Sequence, residues 1–62
     1  MQDTSERWIN LRMAAAHLNV SESWLYQKGL KLGVPYSKIG SHYRFKASDL
    51  DTWMIEQALN NA

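Results

Sequence analysis

Basic residues are concentrated in the middle of this 62-residue chain. No acidic residue occurs between positions 23 and 48. That interval contains five basic residues, Lys28, Lys31, Lys38, Arg44 and Lys46. The remainder has two arginines against six acidic residues, so its charge is −4, although the whole chain carries only +1. Because an ordinary solvated surface mixes both signs, this segregation predicts an anionic partner.

The spacing of small and apolar residues in positions 13–32 is typical of two helices joined by a tight turn. In a DNA-binding helix-turn-helix, the first helix has a small residue where the second helix crosses it. Four positions later stands a residue that tolerates a left-handed backbone. Ala15 and Asn19 fit these two positions, and Leu25, six residues beyond the turn, can insert between the helices. Ser21 can cap the second helix, which is the candidate recognition helix.

A recognition helix in the major groove points its N-terminal half at the base edges. Gln27 can bond an adenine edge, and Lys28 a guanine edge or a phosphate. Glu22 either accepts from a cytosine amine or only favours the helix dipole. Trp24 and Tyr26 are either buried aromatics or apolar contacts to thymine methyls and sugars. The predicted contacts of this helix are Ser21, Glu22, Ser23, Trp24, Tyr26, Gln27 and Lys28.

The two helices have clear boundaries in the sequence. Asn10 is a good N-cap for the first helix, in which the apolar residues recur at helical spacing. The second helix is expected over residues 22–32, because Gly33 supplies a left-handed end and Pro35 prevents continuation. Gly29 lies inside it, so either a neighbour packs on its bare backbone or the helix weakens there.

After Pro35 the pattern becomes extended and predicts a β-hairpin, with strands over residues 36–39 and 43–46 and a turn over residues 40–42. With this alignment one face is apolar and the other cationic. A basic hairpin beside the helices is the wing of a winged helix-turn-helix, expected to contact phosphate or the minor groove. Its predicted contacts are Lys38, Ser41, His42, Arg44 and Lys46.

A capping pattern at Ser48 begins a third helix. Its predicted apolar stripe consists of Leu50, Trp53, Met54, Gln57 and Ala58, with Trp53 as a core residue. The expected fold is therefore mainly α, a winged helix-turn-helix of three helices and a small two-stranded β-hairpin. Residues 1–7 are predicted to form a flexible tail, and residues 8–62 the DNA-binding domain. A chain of this length has room for one domain.

Several functional classes lack support in the sequence. Without cysteine there is no disulfide or thiolate site, and the separated His17 and His42 are poor metal ligands. No nucleophile, carboxylate pair or phosphate loop shows catalytic spacing, so no enzyme, cofactor or small-molecule ligand is expected. The chain has neither a membrane-length apolar run nor a signal peptide, which predicts a cytoplasmic protein.

The chain also resembles the excisionase-type winged helix-turn-helix domain, which is related to the DNA-binding part of mercury-resistance-type regulators. The resemblance extends over nearly all residues after Arg7. It is most specific at residues 34–36, Val-Pro-Tyr, residues 38–40, Lys-Ile-Gly, and residues 43–45, Tyr-Arg-Phe. Asn19, Gln27 and the pair Ser41-His42 depart from the glycine and arginines usual there. The resemblance implies a phage or mobile-element protein that binds and bends attachment-site DNA, with an integrase and neighbouring copies of itself as partners.

Two other functions remain open. A small prophage transcriptional regulator would use the same helix and wing, and the excisionase is preferred because a chain without a sensor domain suits an architectural role. A protein-interaction adaptor would instead present Trp8, Trp24 and Tyr36 as exposed anchors. Salt-dependent binding to duplex DNA distinguishes the DNA-binding functions from the adaptor.

Overall fold

A computed structural model describes residues 7–60. The first helix spans Leu11–Leu18, and the second helix, residues 22–32, follows after a tight turn. An antiparallel hairpin, the wing, consists of β1, Ser37–Ile39, and β2, His42–Arg44. The third helix spans Ala47–Asn60, so Ser48, predicted as its N-cap, is instead its second residue. Three helices and a two-stranded hairpin confirm the winged helix-turn-helix fold, whereas the predicted tail lies outside the described residues except for Arg7.

Local hydrogen bonds set the boundaries of the first two helices as predicted. The Asn10 Oδ1 accepts from the Met13 N–H at 2.8 Å, and the Ser21 Oγ accepts from the Trp24 N–H at 3.0 Å. Asn19 has left-handed backbone angles of φ 61° and ψ 45°, which let the chain turn between the helices. Gly33 ends the second helix at φ 105°, a conformation that glycine adopts without steric cost.

The second helix differs from the prediction in its middle. Its ends, Glu22–Trp24 and Leu30–Leu32, are α-helical, but Leu25–Gly29 forms a π-helical turn, closed by the Leu30 N–H donating to the Leu25 carbonyl. A π turn holds more residues than an α turn, so the side chains beyond it are rotated around the helix axis. Gly29 has both predicted features, since its backbone is closely packed and the α-helix is interrupted there.

Replacing Gly29 with alanine should destabilise the domain. A Cβ at Gly29 would lie 2.7 Å from the Cδ1 of Leu25, which is fully buried, and 3.2 Å from Trp24 Cζ3. Overpacking costs about 1 to 3 kcal/mol, against a gain of up to about 1 kcal/mol in helix propensity, so we expect a net loss of about 1 kcal/mol. Urea unfolding measures it, with Ala16→Gly on the exposed side of the first helix calibrating the propensity. A Gly29→Ala variant more stable than the parent would contradict this packing.

The wing has a shorter turn than predicted, and this changes which side chains share each face. Ile39 pairs with His42 and Lys38 with Tyr43, so the turn contains only Gly40 and Ser41. Directly paired residues of antiparallel strands point to the same face, and a shift of one residue moves side chains to the opposite face. The prediction of one apolar and one cationic face was therefore wrong. Lys38 shares the aromatic face with Tyr43, and Ile39 lies on the other face.

The core is formed by all three helices and the end of the wing. Its buried side chains are Ala14, Ala15, Leu18, Leu25, Val34, Phe45 and Leu50. Ile9 joins the wing to the N-terminal segment, because Ile9 and Phe45 exchange two backbone hydrogen bonds of 2.8 and 2.9 Å. On the outer surface the first and third helices are joined by His17 Nε2 and Asp51 Oδ1, 2.7 Å apart.

The third helix buries less of its apolar surface than predicted. Leu50 is fully buried and Trp53 is half-buried against the core, so Trp53 is a core residue only in part. Met54 and Ala58, predicted on the buried stripe, are exposed. The third helix therefore contacts the domain mainly through its first half and one narrow face.

Candidate nucleic-acid interface

An open groove of about 820 Å³ lies between the second helix and the wing. Its lining residues come from both elements: Tyr26, Gln27, Lys28, Leu30, Lys31, Leu32, Tyr36 and Tyr43. The charged residues in this lining are Lys28 and Lys31, both exposed. Lys38 adds a third cation nearby, because its Nζ lies 5.5 Å from the centre of the Tyr43 ring. Among the described residues, the groove is therefore lined by aromatic, aliphatic, amide and cationic groups without a carboxylate.

Aromatic contacts hold the wing against the second helix. The rings of Tyr26 and Tyr43 meet edge to face, with centroids 5.7 Å apart. Tyr36 lies 5.5 Å from Tyr43 and 6.3 Å from Phe45, which is fully buried. Aromatic pairs with this geometry stabilise beyond the area that they bury. These contacts attach the wing to the core and fix its orientation relative to the second helix.

The two aromatics left open on the second helix have different environments. Trp24 is half-buried and packs against the core, with its ring beside Gly29. Tyr26 is 53% exposed and lines the groove. Trp24 therefore holds the helix in place, whereas about half of the Tyr26 side chain is accessible in the groove.

The polar residues of the second helix are accessible. Glu22, Ser23, Gln27 and Lys28 are exposed, as is Ser21, whose hydroxyl already accepts the capping hydrogen bond. Gln27 and Lys28 lie in the π turn and line the groove, whereas Glu22 and Ser23 lie on the preceding turn outside the lining. The structure thus brings the predicted residues 26–28 next to the wing.

The predicted wing residues are divided between its tip and its base. Lys38, Ser41 and His42 are exposed near the tip. Arg44 is half-buried, and its Nη1 donates to the carbonyl oxygen of Tyr43 at 2.8 Å. Lys46 lies beyond β2, with its Nζ 4.6 Å from the centre of the Trp8 ring. Arg44 and Lys46 therefore contact the protein at the base of the wing, while Ser41 and His42 are exposed at the tip and Lys38 is exposed beside the Tyr43 ring.

The sequence prediction missed five residues that line the groove, Leu30, Lys31, Leu32, Tyr36 and Tyr43. Lys31 could have been found, since it follows Lys28 by three positions on a helix and belongs to the acid-free interval. The two tyrosines gave no such signal, because only the packing of the wing places them opposite the second helix. Trp24, one of the three anchors of the adaptor hypothesis, is packed on the core, whereas Trp8 and Tyr36 are exposed.

No group of three or more histidine and acidic side chains within residues 7–60 could hold a metal ion. None of the helices in this range combines the length and apolar character needed to cross a bilayer.

Comparison with known proteins agrees with this architecture. Residues 8–58 match the family model described as a helix-turn-helix domain. Neither the curated proteins nor the solved structures contain a significant match. The matched range includes all three helices except for the last residues of the third, and it includes the whole wing. The chain belongs to the helix-turn-helix domain family and is a DNA-binding helix-turn-helix protein.

Proposed function

We propose that the protein binds duplex DNA sequence-specifically, with the second helix in the major groove and the wing on the adjacent backbone and minor groove. The observation that carries this proposal is the groove shared by the two elements, in which the charged side chains are Lys28 and Lys31. A phosphate backbone passing between a helix and a wing would meet lysines from one side and tyrosine rings from the other. Backbone contacts of this kind supply most of the affinity and set the register of the helix.

Base reading in this arrangement falls to the exposed residues of the second helix. Gln27 is the strongest candidate, because its uncharged amide can pair with both the N6 and N7 of adenine. Ser21, Glu22, Ser23 and Lys28 flank it on the exposed surface, and Tyr26 lies at the boundary with the wing. We assign Trp24 to positioning, because it packs on the core.

The wing supplies the sequence-independent part of the proposed interface. Lys38, Ser41 and His42 reach the DNA from the tip, and Arg44 and Lys46 add positive charge at the base. Minor-groove contacts distinguish A·T from G·C but little else, so this part fixes position and orientation. Specificity is then carried mainly by the second helix.

Within this proposal, the resemblance to excisionase-type domains favours a phage or mobile-element excisionase that bends attachment-site DNA for an integrase. A small prophage transcriptional regulator is the alternative. For an excisionase, we expect a neighbouring integrase gene. We also expect that addition of the protein stimulates excisive recombination by that integrase. Repression of an adjacent promoter without such stimulation would identify a regulator.

Replacing Lys28 with alanine tests the proposed contact to phosphate. In fluorescence-anisotropy titrations of an unrelated duplex across a range of salt concentrations, the variant should lower the log-log salt slope by about one unit. Lys31→Ala should have a similar effect, because both lysines line the groove. Arg12→Ala, which removes an exposed charge on the first helix outside the groove, is the matched control and should leave the slope unchanged.

The same titrations distinguish the proposed function from its rivals. If both lysine variants bind duplex DNA at low salt with an unchanged log-log salt slope, the DNA does not bind in this groove. No binding at low salt would favour a protein-interaction adaptor, for which Trp8 and Tyr36 are exposed.

A further inference from the structure

Ile39 is an exposed aliphatic residue at the end of the wing. It is the last residue of β1, immediately before the turn, and 66% of its surface is exposed. Among the large hydrophobic residues that the structure describes, only Leu59 is more exposed, at 71%. Leu59 stands near the end of a helix, whereas Ile39 lies at the tip of the element proposed to meet DNA. Its position is therefore unexpected for a residue with only a structural role.

The register of the hairpin directs Ile39 away from the aromatic groove. Ile39 pairs with His42 and shares its face with Ser37 and Arg44, whereas Lys38 and Tyr43 occupy the opposite face. The turn beyond it is narrow, because it consists only of Gly40 and Ser41. Gly40 adopts φ 61°, and an ideal Cβ there would have nothing within 4 Å. The tip is thus a thin edge with one β-branched side chain projecting beside it.

The base of the wing is well supported. Tyr43 contacts the rings of Tyr26 and Tyr36, and Phe45, which ends the wing, is fully buried and bonded to Ile9. Because the base of the wing is packed on the core, a force on the tip is transmitted to the whole domain. A flexible loop could not transmit it.

Cationic and polar groups lie beside the tip and at the base of the wing below it. Lys38 precedes Ile39, His42 is its partner across the strands, and Arg44 lies on the same face. This charge pattern is complementary to the two phosphate strands that border a minor groove. Apolar side chains that enter the minor groove insert between base pairs, unstack them partly and kink the duplex.

We propose that Ile39 is a wedge that enters the minor groove between two base pairs and kinks the DNA. This inference rests on the proposed function and adds to it the residue that bends the duplex. Pyrimidine–purine steps unstack most readily, so TA steps in an A·T-rich segment are the preferred place of insertion. The second helix holds the domain in the adjacent major groove while the wing bends the DNA around it.

Ring closure of a short DNA fragment by ligase tests the wedge without knowledge of the cognate site. The probe is an A·T-rich fragment of about 100 bp with TA steps and cohesive ends, which closes rarely by itself because the persistence length of DNA is about 150 bp. The full chain should raise the yield of circles at least about tenfold, and Ile39→Ser should remove most of this increase. Ile39→Leu, which keeps an aliphatic wedge, should retain it. Ile55→Ser, an isoleucine of similar exposure on the third helix, should leave it unchanged.

Anisotropy titrations of the same fragment separate bending from binding. We expect Ile39→Ser to weaken binding by about threefold or less, because the cations that hold phosphate remain. Binding of the parent without extra circles, or equal circle yields with Ile39→Ser, would overturn the wedge and leave the proposed function intact. Absence of binding by the parent would overturn both. A loss of self-association in Ile39→Ser, with bending unchanged, would make the tip a contact between copies and also overturn the wedge.

Discussion

Phe45→Ala is expected to lower the free energy of unfolding by about 3 to 5 kcal/mol. Phe45 is fully buried and is the largest of the completely buried side chains. Its removal leaves a cavity where the wing, the N-terminal segment and the helices meet. A domain of this length has a total stability of about 3 to 9 kcal/mol, so the variant should lose a large part of its stability.

Thermal and urea unfolding followed by circular dichroism measure this effect. Ile55→Ala, at an exposed position of the third helix, is the control and should change stability by no more than about 0.5 kcal/mol. A Phe45→Ala variant that unfolds at nearly the same urea concentration as the parent would show that the core does not depend on the wing. Because Phe45 also contacts Tyr36, residual folded protein should bind DNA less well than the parent.

Gln27→Ala should separate base reading from backbone contact in the proposed interface. If the amide pairs with an adenine edge, the loss on the preferred DNA site is about 1 to 3 kcal/mol, or roughly 5- to 150-fold in affinity. On a random duplex almost nothing should be lost, and the salt slope should stay unchanged, because the side chain has no charge with which to displace counterions. Gln27 is exposed and lines the groove beside Lys28, which makes this contact sterically possible.

The measurement requires a preferred site, obtained by selecting bound sequences from a random duplex pool. Titrations of Gln27→Ala and Lys38→Ala on the selected and scrambled duplexes then give four comparisons with the parent. Lys38→Ala, on the wing, should weaken both duplexes alike. Equal losses on both duplexes for Gln27→Ala would show that this part of the second helix does not read bases, and would transfer the main contact to the wing.

Interactions that span only a few residues were determined by the sequence itself. The caps of Asn10 and Ser21 each join residues three positions apart, so a side-chain oxygen before an apolar helical pattern suffices to place them. Asn19 and Gly33 adopt left-handed conformations that depend on residue type and immediate neighbours. The helix-turn-helix and its boundaries could therefore be predicted, and so could the presence of the wing.

Features that depend on residues distant in the chain were decided only by the tertiary structure. The exposure of Tyr26 and the packing of Trp24 depend on where the wing and the core lie relative to the second helix.

The faces of the wing show most directly which features the sequence determined and which the tertiary structure decided. Glycine and the alternating residues predicted a hairpin, but a two-residue turn and a three-residue turn place Ile39 on opposite faces, and the pattern alone favoured the wrong one. The shorter turn places Tyr36 and Tyr43 on the same face, where Tyr43 packs against the rings of Tyr26 and Tyr36. Local hydrogen bonding thus determined which elements form, and long-range packing decided which side chains those elements expose at the surface.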